Sequence, residues 1–458
     1  MVVKYHSAHM AALVVAPAWH TGSTPLTKIH QPPLAVRSPG AAMHRWPTQT
    51  PEGHAAALAR VSASRSPQAA IAAFAGGALP HTILSCCQGV LLGMLSTRAV
   101  LPLRATCRDA AVAVAAHPWD DLETSICGNV GPALLPPGPR RQRGAWRACF
   151  PRARGANVSG YNEHSNPQGR RTPVVDADFE NFVGLRQLNM SWCTSVTDAA
   201  FLSLMGIQSL DMSFCNQYTI TDAAFVHLKG IQSLNMSGCR QFTITDAAFV
   251  PLAGIQILDM SGCSQAAITD AAFVSLAGIK SLDISCCDQP TITDAAFVPP
   301  AGMIQSLSMS HCCQPTITDA AFVNLAGIRS LCMSGCRQPT ITDAAFVPLA
   351  GIHSLNMSCC NQDTITDAAF APLAGIKSLN MSGCDQDTIT DAAFVPLAGI
   401  KSLNTINCCQ FTITDAAFAP LVGIQSLGMS FCTPAQLPWR SPCTPGGNPK
   451  PAVKGGCC

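Results

Sequence analysis

The chain has 458 residues and a formal net charge of +2, so its overall charge gives no general argument for binding nucleic acid or a membrane surface. Charged residues make up only 12% of the chain, about half the usual share. No apolar run reaches the roughly 20 residues that a membrane-spanning helix needs. The length is enough for a large core or for several domains.

The first part of the chain, residues 1–75, is rich in Ala, Pro, Ser, His and Arg, and Glu52 is the only acidic residue before Asp109. Such a composition cannot bury enough apolar surface to offset the entropy of ordering, which predicts a disordered tail. An organelle transit peptide is the alternative, because it is also rich in Arg and Ser and poor in acidic residues.

Residues 76–125 form a more apolar segment. The apolar spacing from Ile83 to Val114 predicts two or three short helices, with breaks near Ser96-Thr97 and at Pro102. These helices are either a motif with its own partner or a helical hairpin that caps the rest of the chain.

The same segment carries an ordered set of residues. It opens with Leu79-Pro80, continues through an apolar helix and a leucine-rich turn, and reaches Cys107-Arg108 and then a Pro-Trp pair at 118–119. In this order it resembles an F-box. The resemblance implies docking of apolar anchors onto a Skp-type adaptor of a cullin–RING ubiquitin ligase. The positions that it assigns to adaptor docking are Leu79, Pro80, Ile83, Leu84, Leu95, Leu101 and Leu103.

Residues 126–173 are predicted to be a linker followed by a degenerate first repeat. Gly131 to Gly144 is a proline- and arginine-rich loop, and a charge run of this size is typical of a solvated linker rather than of a nucleic-acid patch. Ala153 to Tyr161 has the pattern of a first strand, and residues 162–173 are a polar insertion.

From residue 174 to residue 432 one sequence recurs almost letter for letter. Its core is Ile-Thr-Asp-Ala-Ala-Phe, and its aspartate returns every 24 residues, except for one step of 25 between Asp294 and Asp319. A fixed period of this size predicts a stacked repeat protein in which no unit can bury its apolar side alone. The aspartates are Asp198, Asp222, Asp246, Asp270, Asp294, Asp319, Asp343, Asp367, Asp391 and Asp415.

Each unit also contains Ile-x-x-Leu-x-Met-x-x-Cys, as in Ile231 to Cys239. Leu234 and Met236 alternate with polar residues, which predicts a short strand with one buried side. This is the frame of the leucine-rich repeat, and Cys193 to Asp198 resembles the cysteine-containing subfamily of that family. The resemblance implies an α/β leucine-rich-repeat solenoid, with parallel strands on a concave face and short helices on a convex face.

The other recurring letters have structural roles. Thr245 is expected to cap the following helical turn, Asp246 to stabilise its positive end and Gly254 to adopt a positive φ where the turn ends. The phenylalanines should fill the core, each contributing roughly 1.5–3 kcal/mol. They are Phe201, Phe225, Phe249, Phe273, Phe297, Phe322, Phe346, Phe370, Phe394 and Phe418.

Prolines inside the helix of several units, as at Pro251, remove an internal hydrogen bond and clash with the preceding turn. We therefore expect helices of only one or two turns. The 25-residue unit has Pro299-Pro300 and an extra Met303, which predicts a local irregularity there.

The chain has 24 cysteines, and eleven of them end the strands of successive units. Their Cβ directions should run parallel, which disfavours disulfide bonds. We interpret them as buried structural thiols, which favours a cytoplasmic or nuclear protein. No cluster has zinc-site spacing, so neither a metal nor a cofactor is expected. The ladder cysteines are Cys193, Cys215, Cys239, Cys263, Cys287, Cys312, Cys336, Cys360, Cys384, Cys408 and Cys432.

The units differ mainly at two outward-facing places: the residue after the first Ile or Leu, and the residue before the ladder cysteine. The resulting face is aromatic at its start and mildly basic from Lys280 to Lys401. No catalytic residue is expected, because ten identical aspartates do not make one distinct constellation. The positions assigned to partner binding are Trp192, Phe214, Lys280, Arg329, His353, Lys377 and Lys401.

This pattern predicts a docking surface for a protein with acidic patches, with a solvated and randomly varying face as the alternative. Two functions follow: a non-enzymatic substrate receptor of a cullin–RING ubiquitin ligase, or a scaffold with no ubiquitin link. Recent duplication with little selected function is a third interpretation. Residues 433–458 are predicted to be a disordered tail, whose final Cys457-Cys458 is exposed rather than lipidated.

Overall fold

The computed structural model describes residues 92–93, 95–104, 108–120, 146–159, 173–408 and 410–429. The predicted tails at 1–75 and 433–458, and much of the predicted linker, lie outside this range. The proposed adaptor-docking positions Leu79, Pro80, Ile83 and Leu84 also lie outside it. Within the described residues, no helix has the length and hydrophobicity that crossing a bilayer requires.

Twelve short parallel strands form one sheet in which each strand pairs with the next along the chain. The equivalent leucines of neighbouring units are in register, as in Leu234↔Leu258. The predicted leucine-rich-repeat solenoid is therefore confirmed. The strands are β1 Gly155–Asn157, β2 Gln187–Asn189, β3 Ser209–Asp211, β4 Ser233–Asn235, β5 Ile257–Asp259, β6 Ser281–Asp283, β7 Ser306–Ser308, β8 Ser330–Cys332, β9 Ser354–Asn356, β10 Ser378–Asn380, β11 Ser402–Asn404 and β12 Ser426–Gly428.

Short helical turns connect the strands on the other side of the core, as the prolines predicted. In the ten units from Asp198 to Asp415, all six with a proline five residues after the aspartate form 3₁₀ turns, and the four without it begin with an α-helical turn. Proline has no N–H for the α-helical bond, so the tighter 3₁₀ path is favoured. Before the repeats lie α1 Thr97–Arg104, α2 Arg108–Ala116 and a helical turn at 146–149. The α-helical turns of the repeats are α3 Asp198–Phe201, α4 Asp222–Phe225, α5 Asp270–Val274 and α6 Asp319–Val323. The 3₁₀ segments are Asp176–Phe182, Leu202–Leu204, Val226–Leu228, Asp246–Leu252, Asp294–Phe297, Asp343–Leu349, Asp367–Leu373, Asp391–Leu397 and Asp415–Phe418.

The repeated threonine and aspartate join each unit to the next. The threonine Oγ accepts a hydrogen bond from the alanine N–H two residues later at 3.2–3.3 Å, which confirms the predicted cap. The aspartate stands at the start of the turn as expected, but its two oxygens accept bonds from the threonine N–H and hydroxyl of the following unit. These distances are 2.6–2.8 Å for Asp176 and for the nine repeat aspartates from Asp198 to Asp391, as between Asp319 and Thr342. We call the ten aspartates from Asp198 to Asp415 the aspartate column.

One continuous apolar core runs between the sheet and the turns. Nine of the ten repeat phenylalanines are completely buried, whereas Phe418 in the last described unit is half-buried. In the 25-residue unit the 3₁₀ turn ends at Phe297, and the extra residue is taken up in the turn at 299–303. The register of β6 with β7 is unchanged, so the predicted irregularity is real and local.

The segment before the repeats belongs to the same core. Trp119 is buried, its indole N–H donates to the Val114 carbonyl at 2.9 Å, and its own carbonyl accepts from the Arg154 N–H at 2.6 Å. The predicted helix break at Pro102 is wrong, because α1 continues through it and ends at Arg104. Proline costs the helix one hydrogen bond, and only two residues follow it before the end.

We expect Asp319→Ala to lower the free energy of unfolding by about 1–2 kcal/mol, because two charge-assisted hydrogen bonds to Thr342 are lost from a half-exposed site. Urea unfolding followed by circular dichroism would measure the change. Asp363→Ala is the matched control, since Asp363 is exposed on a loop. Equal stability of the two variants would contradict a role for the aspartate in joining units.

Candidate protein-binding surface

The exposed side of the sheet, called here the sheet face, is the predicted concave face. The last residue of each strand is mostly Asn or Asp. Its side-chain oxygen accepts a hydrogen bond from the N–H two residues later, as Asn235 Oδ1 accepts from the Ser237 N–H at 2.9 Å. Ser308, Cys332 and Gly428 replace this residue in three units, and the Cys332 thiol lies 3.0 Å from the Ser310 hydroxyl. The face is therefore polar and its backbone is well anchored.

The residue before each ladder cysteine has a left-handed backbone, with φ between 56° and 69°. This conformation suits glycine and costs other residues roughly 1–2 kcal/mol. Four units have glycine there, whereas six have a residue with a side chain. These six residues are Trp192, Phe214, Cys286, His311, Cys359 and Asn407.

The side chains at these places lie over the following unit. The Trp192 and Phe214 rings are stacked, with centroids 4.4 Å apart and planes 14° apart. A Cβ on Gly238 would stand 2.7 Å from the Phe214 ring, so the ring can occupy this position only because the next unit has glycine. His311 covers Gly335 in the same way.

More exposed aromatic surface lies close to this stack along the chain. Tyr218 and Phe242 are 64% and 69% exposed, and their ring centroids are 5.0 Å apart. The Arg240 guanidinium donates to the Gly262 carbonyl at 3.0 Å. Aromatic residues and arginine are the side chains that most often anchor protein interfaces.

The five predicted basic positions form one line at the edge where the chain enters the sheet. We call Lys280, Arg329, His353, Lys377 and Lys401 the basic column. All five are exposed, and none forms an ion pair with another described residue. Backbone bonds hold their units in register; for example, the Arg329 carbonyl accepts from the His353 N–H at 3.0 Å.

The overall charge of +2 is distributed unevenly along the chain, and the repeats are acidic. Residues 173–429 contain 8 lysines and arginines and 20 aspartates and glutamates, a net charge of −12. The basic column therefore holds half of the lysines and arginines of an otherwise acidic array. This contrast makes it a more distinctive feature than the sequence pattern alone indicated.

The ladder thiols are structural, and their environment is apolar. Each described ladder cysteine is buried and donates its thiol to a backbone carbonyl of the preceding unit at 3.0–3.4 Å. Burial raises the pKa of Cys239, Cys287, Cys336 and Cys384 to about 12, and it raises the pKa of Cys215, Cys263, Cys312 and Cys360 as well. The described residues contain no group of three or more His, Cys, Asp or Glu arranged to hold a metal ion.

A column of glutamines is the feature that the sequence interpretation missed. The glutamine two residues after the ladder cysteine recurs in nearly every unit and is buried, as at Gln289 and Gln314. Their amide groups donate to the ladder-cysteine carbonyls of the preceding units at 3.1 and 3.0 Å. The regular recurrence of a polar residue beside the ladder was the available signal.

Two of the predicted adaptor-docking positions contact the core. Leu95 and Leu101 are half-buried and pack against the core. Leu103 lies in α1, but its side chain is outside the described part of the structure. On α2, Val112 is 61% exposed.

Solved structures are similar to parts of this chain. No family model and no curated protein sequence matches it. Among solved structures, the Toll–Spatzle complex of Drosophila aligns at 12% identity and a TM-score of 0.45, over 62% of this chain and 44% of that one. A TLR13–ssRNA13 complex aligns at 15% identity and a TM-score of 0.40, over 63% and 51%. The yeast Rad7–Elc1 complex aligns at 16% identity and a TM-score of 0.32, over 56% and 83%. The chain thus spans about half the length of the first two.

We expect the array to unfold at alkaline pH, between about pH 9 and 10.5. A thiol with a raised pKa stays protonated when folded but ionises above about pH 8.5 when unfolded, so the stability falls as pH rises towards the folded-state pKa. Eight such thiols together lower the free energy of unfolding by about 11 kcal/mol for each pH unit in this range, which is comparable to the whole stability of a typical domain. Circular dichroism against pH under reducing conditions would measure the transition.

The matched variant for this prediction is the triple substitution Cys263→Ser, Cys312→Ser and Cys360→Ser. Serine keeps a hydrogen-bond donor but does not titrate in this range, so the pH slope of the stability should fall by about three-eighths. An unchanged slope in this variant would show that other groups cause the alkaline transition.

Proposed function

We propose that this protein is a non-enzymatic binding protein that holds a protein partner on its sheet face. The observation that carries the proposal is the stacked pair of half-buried Trp192 and exposed Phe214 on left-handed backbone. Four equivalent units show that glycine fits this place without strain. Strained residues of this kind are concentrated at functional sites.

The energetics favour a binding role over a structural one for this pair. Left-handed backbone costs about 1–2 kcal/mol for each residue, and stacking returns about 0.5–1.5 kcal/mol for the pair beyond the area that the rings bury. Stacking alone therefore does not repay the backbone cost at both positions. A partner that buries both rings offsets the difference, because large aromatic anchors dominate interface energies.

The basic column supports a partner with acidic patches. The column spans six units, one of which has Gln305 at this position, and the strands are spaced by about 4.8 Å, so Lys280 and Lys401 are about 24 Å apart along the array. Lysine and arginine without ion-pair partners in an otherwise acidic array give the sheet face a defined polarity. Such charges set the orientation and the association rate of a partner more than its affinity.

The finer proposal is that the partner is a target for ubiquitination and that residues 76–125 recruit a Skp-type adaptor. Its support is the F-box-like order of residues, together with the helices α1 and α2 in this segment and the exposed Val112 on α2. Leu95 and Leu101 contribute to the core, so recruitment would rest on the residues around Leu79-Pro80 and on the exposed side of α2. A scaffold without a ubiquitin link is the alternative.

We expect the double variant Trp192→Gly and Phe214→Gly to fold with unchanged or higher thermal stability and to lose its protein partner. Quantitative mass spectrometry of proteins captured by tagged wild type and variant would measure the loss. Phe411→Ala is the matched control, because Phe411 is 78% exposed in the last described unit and should not change capture.

Lys377→Glu with Lys401→Glu should weaken the same capture by reversing the charge of the basic column. Capture unchanged in both double variants would overturn the proposed site.

Adaptor recruitment has a separate test. Purified Skp-type adaptor should bind the full-length wild type in a pull-down and should not bind the variant Leu79→Ala with Pro80→Ala. The Trp192 and Phe214 variant should bind the adaptor normally, which separates the two surfaces. If the adaptor fails to bind the wild type, the scaffold function is the correct one.

A further inference from the structure

The side of the array formed by the helical turns, called here the helical face, is made almost entirely of apolar side chains. In eight of the ten units the residue after the core phenylalanine is aliphatic and between 57% and 65% exposed. We call these residues the valine column. They are Leu202, Val226, Val250, Val274, Val298, Val323, Val347 and Val395.

Smaller apolar residues flank the valine column on both sides. In the unit of Asp246, Ala247 and Ala253 are exposed and Pro251 is half-buried, and the later units repeat this pattern closely. From this unit to Val422, no charged residue stands between an aspartate of the column and the next turn glycine. The helical face is thus apolar across its width and over eight successive units.

The area of this face is that of a protein interface. Complete burial of a valine-sized side chain removes roughly 60–120 Å² of apolar surface from water, so the valine column alone offers on the order of 400 Å². The flanking alanines and prolines bring the face to about the 800 Å² per partner of a standard interface. Monomeric proteins rarely expose an apolar patch of this extent.

The charges at the two edges restrict what can cover the face. The aspartate column borders it where each turn begins, and the basic column stands two residues after the turn glycine, as in Asp270, Gly278 and Lys280. An anionic membrane surface would be repelled along the whole aspartate edge. The suitable occupant is an apolar surface with a basic edge and an acidic edge at the spacing of one charge per unit.

A second copy of the chain has these properties. A two-fold axis parallel to the array exchanges the two edges, so the aspartate column of each copy opposes the basic column of the other. A two-fold axis across the array would instead place aspartate against aspartate. Since the aspartate column repeats once per unit and the basic column occupies five of the six units from Lys280 to Lys401, the match extends over several units in an isologous interface.

We propose that the helical face is a homodimer interface in which two arrays lie parallel, valine column against valine column. The apolar part of this surface is distinct from the sheet face, and the two surfaces share only the basic column at their common edge. Dimerisation rests on the helical face and its two charged edges and does not depend on the proposed function.

Sedimentation velocity of the full chain over a range of concentrations tests the proposal. The wild type is expected to be a dimer, and V250K/V274K/V323K should dissociate at least about 100-fold more readily, because three lysines enter an apolar contact. All three positions are exposed, so circular dichroism should show an unchanged fold. The variant Q208K/Q232K/Q305K is the matched control: it adds the same charge at exposed sites in line with the basic column and should remain dimeric.

The parallel arrangement has its own readout. Carbodiimide crosslinking of an equal mixture of ¹⁴N- and ¹⁵N-labelled protein should give mixed-isotope peptides that join Lys377 or Lys401 to the aspartate column. A wild type that stays monomeric, a V250K/V274K/V323K variant that dimerises normally, or a dimer without these mixed peptides would overturn the proposal. The folded V250K/V274K/V323K variant should still capture the sheet-face partner, so failure of one proposal is distinguishable from failure of the other.

Discussion

The structure depends on contacts between units rather than within them. One unit has a three-residue strand and about one helical turn, which cannot enclose a phenylalanine. The ring becomes fully buried only when a unit stands on each side, and the half-buried Phe418 in the last described unit shows the effect of a missing neighbour. The aspartate–threonine bonds, the thiol–carbonyl bonds and the sheet all cross the same boundary, so stability accumulates by neighbour pairs.

Much of this arrangement was predictable from the sequence because the same residue pattern occurs in every unit. The Ile-x-x-Leu-x-Met-x-x-Cys frame identified the strand, its buried side and the ladder, and the prolines explained the short turns. The target of the aspartate was not predictable, because its sequence position suits a helix start equally well and only the stacked geometry brings the next threonine within reach. Helix α1 continues through Pro102 and ends two residues later, so a proline near the end of a helix does not have to break the helix at that residue.

The candidate site was predictable in part. The basic positions and the aromatic start of the face are visible as departures from the repeat, and the structure places them on stacked units, with all but the half-buried Trp192 exposed. The left-handed backbone before the ladder cysteine was hidden, because glycine in only four units does not by itself reveal a conformational requirement. The apolar helical face was also hidden: its valines adjoin the core phenylalanines in sequence and read as further core residues until their exposure is known.

The near identity of the units affects how the chain finds its native pairing. Units that are nearly interchangeable give no thermodynamic preference for one neighbour over another, so a chain could collapse with a unit skipped and still form nearly every local contact. Even the unit at 294–303 absorbs its extra residue in a single turn and keeps the regular strand register and the regular aspartate–threonine bonds to its neighbours. The array is therefore degenerate under translation, and misregistered intermediates compete with the native pairing during folding.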